Sequence, residues 1–284
     1  MVNIRQHLLL FLKGCVIGIA NIIPGVSGGT IAVVLGVYEK IIDAISNFFT
    51  NKAKRLDYLI FLATIILGAI VIIFLSARLM KYLLENYGVY TNLAFVGLIA
   101  GSIPSIYQSH EDMKLSVPAL LSFIAGVAII LIFEFGFPDV EKQEGHRVAL
   151  TLTANSALML WLSGFLGGGA MIVPGVSGSF VMLLMGQYYI VTSALAGFNL
   201  IILIIAGVGI VPGIIVFARL INYSLKHFPK ETYYFILGLV LASLISIYPG
   251  LPDSVTGIAI AVLITAVFFS VSFIIGKQST SQKS

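Results

Sequence analysis

Hydrophobic positions in this chain run in long stretches separated by short polar segments. They recur at residues 8–23, 29–49, 58–77, 92–109, 115–135, 151–173, 176–196, 198–218, 231–249 and 255–276. Several reach the ~20 residues that a helix needs to cross ~30 Å of hydrocarbon, and others fall short. The pattern predicts an all-α integral membrane protein in which full spans alternate with shorter, interrupted segments. Composition agrees: AVILMFWYC residues fill 59% of the 284 positions and DEKR only 10%, against about 45–50% and about 25% in soluble domains.

The first stretch, behind Arg5, has the length and basic flank of a secretory signal. A near-copy lies in mid-chain before Pro174, where no signal peptide stands, so the first stretch is expected to belong to the mature fold. Cys15 is the only cysteine, which excludes an internal disulfide and a cysteine-based metal cluster.

The near-copy is part of a duplication. At an offset of 150, Gly14, Gly18, Ala20, Pro24 to Gly28, Gly36 and Tyr38 meet Gly164, Gly168, Ala170, Pro174 to Gly178, Gly186 and Tyr188, so that PGVSG occurs twice. At an offset of 141, Ala77, Arg78, Leu79 and Tyr82 meet Ala218, Arg219, Leu220 and Tyr223. The same offset pairs Gly97, Leu98, Ser102, Ile106 and Tyr107 with Gly238, Leu239, Ser243, Ile247 and Tyr248. The polar linker from Asn47 to Asp57, which the second half lacks, absorbs the change of offset.

Each copy reads as two Gly/Pro-interrupted segments followed by three ordinary spans. Repeat 1 is placed at residues 1–136, with a re-entrant hairpin over 8–49 and transmembrane helices at about 57–80, 91–109 and 115–136. A connecting loop at 137–150, expected outside the cytoplasm, leads to repeat 2 at 151–276. There the hairpin covers 151–196, helices follow at about 198–221, 231–249 and 254–276, and residues 277–284 form a tail. A hairpin is favoured because residues 8–23 reach Pro24 too soon for an easy span, and a break can be buried among other helices. Six crossings and two hairpins are expected, and an odd number of crossings per repeat makes the second copy inverted. Interrupted segments at matching places in two halves point to a transporter binding site.

Loop charges give the orientation, since Lys and Arg gather on the cytoplasmic side. Arg5, Lys52, Lys54, Arg55, Lys114, Arg219, Lys226, Lys230, Lys277 and Lys283 fall on one face of this topology. The other holds Arg78, Lys81, Lys142 and Arg147 beside Asp139, Glu141 and Glu144. Both termini are therefore expected in the cytoplasm.

The chemistry is expected at the two breaks. In Asn21 to Thr30, NIIPGVSGGT, Pro24 lacks an amide donor and Gly25, Gly28 and Gly29 tolerate close approach, so one helix ends and another begins. Val26 lies between them, and Ser27 or Thr30 is placed to cap the second half-helix. Unpaired N–H groups there suit a phosphate or carboxylate. Pro174, Gly175, Val176, Ser177, Gly178 and Ser179 repeat the device, and inversion would bring the two tips together near the midplane. The competing structural reading is a tight turn whose glycines allow close helix packing.

Arg78 and Arg219, equivalent ends of the first full span, either snorkel to the interface or draw an anionic headgroup inward, and Lys13 is a candidate of the same kind. Glu39 and Glu134 lie in or beside apolar segments, where an ionisable group is costly and suits a coupling proton. His7, His110, His146 and His227 show no metal-ligand spacing and are expected to be solvated. Trp161 and many tyrosines near span ends fit an aromatic belt. No P-loop or dinucleotide fingerprint is present, so neither a nucleotide cofactor nor a nucleic-acid partner is expected.

The paired signatures ANIIPGVSGGTIA with Gly36 and Tyr38, and MIVPGVSGSFVMLLMGQY from Met171 to Tyr188, resemble the bacterial polyprenyl-phosphate transporters called PopT, formerly a domain of unknown function. The resemblance covers nearly the whole chain, including FVGLIAGSIPSIY from Phe95 to Tyr107. It implies return of undecaprenyl phosphate, the lipid carrier of cell-wall precursors, from the outer to the cytoplasmic leaflet of the bacterial cytoplasmic membrane. Carried over by motif, Pro24 to Thr30 and Pro174 to Ser179 would hold the phosphate while the prenyl tail stays in lipid, through a lateral apolar opening. Inward movement of an anion against an inside-negative potential suggests a coupling proton or sodium ion. The sequence leaves homo-oligomerisation open.

Two rivals differ in chemistry. Undecaprenyl-pyrophosphate phosphatases also have duplicated broken helices and a PG-x-S-R-S signature, but PGVSGG and PGVSGS here lack its arginine and the acidic segment that works with it. A carrier of a small soluble anion or cation would use the same half-helix geometry within an enclosed polar pocket.

Overall fold

The computed structural model describes residues 4–22, 27–110, 112–136 and 153–281. Pro24, Gly25 and Val26, the connecting loop with Asp139, Glu141, Lys142, Glu144, His146 and Arg147, and Lys283 lie outside the described residues. Within them the chain forms helices and no strand: α1 (Ile4–Ile22), α2 (Gly28–Val34), α3 (Tyr38–Asn47), α4 (Arg55–Tyr107), α5 (Val117–Phe135), α6 (Ala154–Ile172), α7 (Gly178–Leu184), α8 (Tyr188–Ala196), α9 (Leu200–His227), α10 (Pro229–Ile247) and α11 (Val255–Ser281). Seven spans among them are long and apolar enough to cross a membrane: two within α4, on either side of residues 77–81, and one each in α5, α6, α9, α10 and α11. The chain is an all-α multi-pass membrane protein.

Two expectations change. α1 is 19 residues, about 28 Å at 1.5 Å per residue, and so longer than the run 8–23, although it is not among the seven spans. α6 itself counts among the seven. α1 begins at Ile4, four residues before the apolar run, and a Thr153–Ser156 capping box starts α6. The returning arms, in contrast, are not single segments. Gly36 at φ 64° and Gly186 at φ 70° adopt left-handed backbone that other residues rarely take, and each divides its arm into two short helices. The resulting α7 and α8 are bent by 114° relative to each other.

Packing repeats at the two offsets. The Gly14 and Gly18 faces of α1 lie directly on the Ile65 and Ala69 carbonyls of α4, as Gly164 and Gly168 of α6 lie on the Ala206 and Ile210 carbonyls of α9. Gly68 and Gly209 complete the pairs against Phe11 and Trp161. Small residues let backbones approach where lipid supplies no hydrophobic drive between helices. The later spans exchange partners: Gly97 of α4 abuts Thr265 of α11, and Gly238 of α10 abuts Phe123 of α5. α10, which packs on α4, α5 and α9, is central, with 61% of its span buried, whereas α11, which packs on α4, is peripheral at 11%. Exposed apolar side chains such as Phe74, Leu75, Ile204, Val262 and Leu263 face outward, as a lipid-bathed surface requires.

Candidate functional site

The two motif copies meet. Ser27 stands in extended backbone (φ −88°, ψ 130°) before α2, yet its hydroxyl makes no cap bond there. It donates instead to the Val173 carbonyl at 3.4 Å, 146 residues away. The Gly175 amide in turn donates to the Thr30 hydroxyl at 2.7 Å. Gly29 is buried against Ile172 and the Pro174 nitrogen, an approach that a larger residue would hold apart. Ser27 and Thr30 are 5% and 1% exposed, so both links are shielded from water.

The second copy is arranged differently. Gly175, at φ 80°, turns the chain over the Leu239 carbonyl of α10 and beside Ile130 of α5. Pro174, Val176 and Gly178 are buried. Ser177 caps α7 by accepting from the Phe180 amide at 3.4 Å, and its hydroxyl lies 2.8 Å from that of Ser179. Ser177 is half-buried and Ser179 exposed. Asn21, at the end of α1, donates to the Ile17 carbonyl at 3.0 Å and covers Gly28, the place that Met171 takes over Gly178. Because α2 and α7 have only 7 residues each, the donors here are individual amides and hydroxyls rather than the end of a long helix dipole.

The charged candidates lie elsewhere. Arg219 directs Nε to the Ser46 carbonyl at 3.4 Å, and Asn222 donates to the Ser46 hydroxyl at 2.6 Å, so both tie α9 to the end of α3. Lys226 pairs with Asp43 at 3.8 Å, and Tyr58 donates to the same carboxylate at 3.0 Å. Arg78 is exposed on α4. Lys13 reaches the Leu35 carbonyl at 2.7 Å, satisfying the end of α2.

Glu39 accepts a hydrogen bond from Tyr233 of α10, and Glu134 accepts one from Ser246. His110, expected to be solvated, is half-buried and stacks on Tyr233 with ring centroids 6.1 Å apart. Among the described residues no group of three His, Cys, Asp or Glu side chains could hold a metal. At the same end of the bundle, Lys230 pairs with exposed Asp112 at 3.5 Å. The Lys114 amide and the Lys230 ammonium hold the Asp112 carboxyl below its usual range. An open hollow of about 410 Å³, lined by Tyr107, Gln108, His110, Met113 and Lys114, lies beside that pair.

Sequence reasoning missed Tyr233. Its counterpart at offset 141 is Asn92, so no repeated position marks it. Thr30 was singled out as a cap, whereas its hydroxyl serves the other motif copy.

A family model described as undecaprenyl phosphate translocase-like matches residues 17–261. A polyprenyl-phosphate transporter of Staphylococcus aureus is 32% identical over 273 residues, covering 94% of this chain and 95% of its own. One of Vibrio cholerae is 34% identical over 255 residues, covering 86% and 78%. No solved structure matches. Both the matched span and these relatives place this chain in the undecaprenyl phosphate translocase-like family.

Proposed function

We propose that this protein carries a polyprenyl phosphate of the undecaprenyl phosphate type across the bacterial cytoplasmic membrane, from the outer to the cytoplasmic leaflet, as a transporter and not an enzyme. The observation that carries the reading is the meeting of the two PGVSG copies through Thr30–Gly175 and Ser27–Val173. Relatives named polyprenyl-phosphate transporters supply the substrate class. The phosphate is held by backbone amides and the hydroxyls of Ser27, Ser177 and Ser179, with Asn21 at the rim. The prenyl tail stays in lipid, so only the headgroup needs shielding.

The two halves act as inverted repeats that rock about the tips. Recurrence of the glycine contacts at offsets of 150 and 141 supports a duplicated unit. Orientation follows the basic loops, and both termini are cytoplasmic. Contacts from Asp43 to Lys226 and from Asp112 to Lys230 support grouping several of those loops at one end. Inward transfer of one negative charge against 100 mV costs about 2.3 kcal/mol, which a co-transported proton or sodium ion offsets. Glu39, held by Tyr233, is the preferred carrier and Glu134 the second. Arg78 attracts the headgroup at the interface, while Arg219 serves mainly to fix α3.

The test is reconstitution in liposomes with polyprenyl phosphate, following headgroup exposure in each leaflet under imposed proton or sodium gradients. Protein-dependent movement is expected, with no phosphate released from polyprenyl pyrophosphate. Release of phosphate would favour an enzyme, and uptake of inorganic phosphate without lipid movement would favour a soluble-anion carrier.

A further inference from the structure

The Thr30–Gly175 hydrogen bond is one-sided. Repeat 1 sends its hydroxyls across the interface, Ser27 to the Val173 carbonyl and Thr30 to the Gly175 amide, whereas Ser177 and Ser179 of repeat 2 bond locally. At offset 150 the counterpart of Thr30 is Phe180, which has no hydroxyl. If inverted repeats exchange conformations during alternating access, the mirror-image link would need an acceptor at position 180. Phenylalanine cannot provide one.

We propose that Thr30 is a positioning residue, a latch that biases the protein toward the arrangement in which its hydroxyl holds the Gly175 amide, and that an anionic headgroup oxygen competes with it for that amide. The competition rests on the transport reading above, whereas the latch itself does not. Thr30 is 1% exposed, and a shielded amide deprived of its partner is costly, so the bond matters more than one at the surface. An ionised phosphate oxygen makes a stronger bond than a neutral hydroxyl, which lets the lipid open the latch. Valine fills the volume of threonine without the acceptor, and serine keeps the acceptor.

Full-length wild type, Thr30→Val and Thr30→Ser are compared in nanodiscs by hydrogen exchange of the segment containing Gly175 and by binding of polyprenyl phosphate. Thr30→Val should exchange faster at Gly175 and bind the lipid about threefold to tenfold tighter. Thr30→Ser should match wild type in both. If Thr30→Val does not fold, Thr30→Ala takes its place in the same comparison. Unchanged exchange at Gly175 would overturn the latch. Faster exchange with weaker binding would make the hydroxyl a ligand of the lipid, overturning the competition. Failure of wild type to bind the lipid would refute the transport reading and the competition together, while the exchange measurement would still decide the latch.

Discussion

Tyr87 and Phe228, 141 residues apart, share a φ of −134° and interrupt their helices at equivalent places. In the first half the helix resumes at once, so α4 runs from Arg55 to Tyr107 with one break. In the second half Pro229 follows, whose missing N–H suits the first turn of a new helix, and α9 and α10 separate. Tyr87→Ala should leave the bend in place, because the tertiary partners on each side are retained. Electron paramagnetic resonance distances between labels at Phe74 and Tyr107, with Cys15 replaced, should change little.

The glycine contacts make a stability prediction. A side chain at Gly168 meets the Ile210 backbone, so Gly168→Val should separate α6 from α9 and lower stability by about 1–3 kcal/mol. Gly18→Val should do the same to α1 and α4. Gly207, which has open space around its Cβ position, is the control. Thermal unfolding in detergent distinguishes them.

Lys13 is expected to matter for structure before transport. Lys13→Met removes the donor to the Leu35 carbonyl and should destabilise by about 1.5–3 kcal/mol, the range for a charge-assisted bond. Lys13→Arg should recover most of the loss. Arg219→Ala should likewise loosen α3, detected as faster proteolysis within residues 38–54, whereas Arg78→Ala should leave unfolding unchanged and weaken headgroup capture.

Glu39 and Tyr233 separate coupling from packing. Glu39→Gln keeps a carbonyl acceptor for the Tyr233 hydroxyl but cannot release a proton. Transport driven by an imposed gradient should fall at least tenfold while exchange without a gradient persists. Tyr233→Phe, which removes the hydrogen bond and keeps the carboxyl, should weaken gradient-driven transport without abolishing it. If Glu39→Gln responds to the gradient as wild type does, Glu134 is the next candidate.

The Asp112–Lys230 pair should not shape activity near neutral pH. The carboxyl is depressed in the folded protein, so its stabilising effect is present above the ordinary carboxylate pKa and disappears only as pH falls through the lower folded value. Asp112→Asn should leave transport between pH 6 and 8 unchanged.

The spans and the motif breaks were legible because Pro, Gly and long apolar runs act locally. Gly36 and Gly186 stood out as matching positions, but their role as a second break depends on left-handed backbone that the apolar pattern does not reveal. The length of α1 was misjudged because the polar residues before the apolar run, Arg5 to His7, do not stop a helix. Partners such as Thr30 with Gly175 or Tyr233 with Glu39 arise from packing across 145 and 194 residues, beyond any local signal. Doubling implied that the copies would be alike, and the local bonding of Ser177 and Ser179 departs from that.

Whether the headgroup sits between the motif copies is tested most directly by photo-crosslinking a polyprenyl phosphate analogue, reactive beside its phosphate, to the protein in liposomes. Labelled peptides should contain residues 27–30 and 174–179, and excess unlabelled lipid should suppress both. Specific labelling confined to the hollow around His110 and Lys114, with neither motif copy modified, would contradict the assignment.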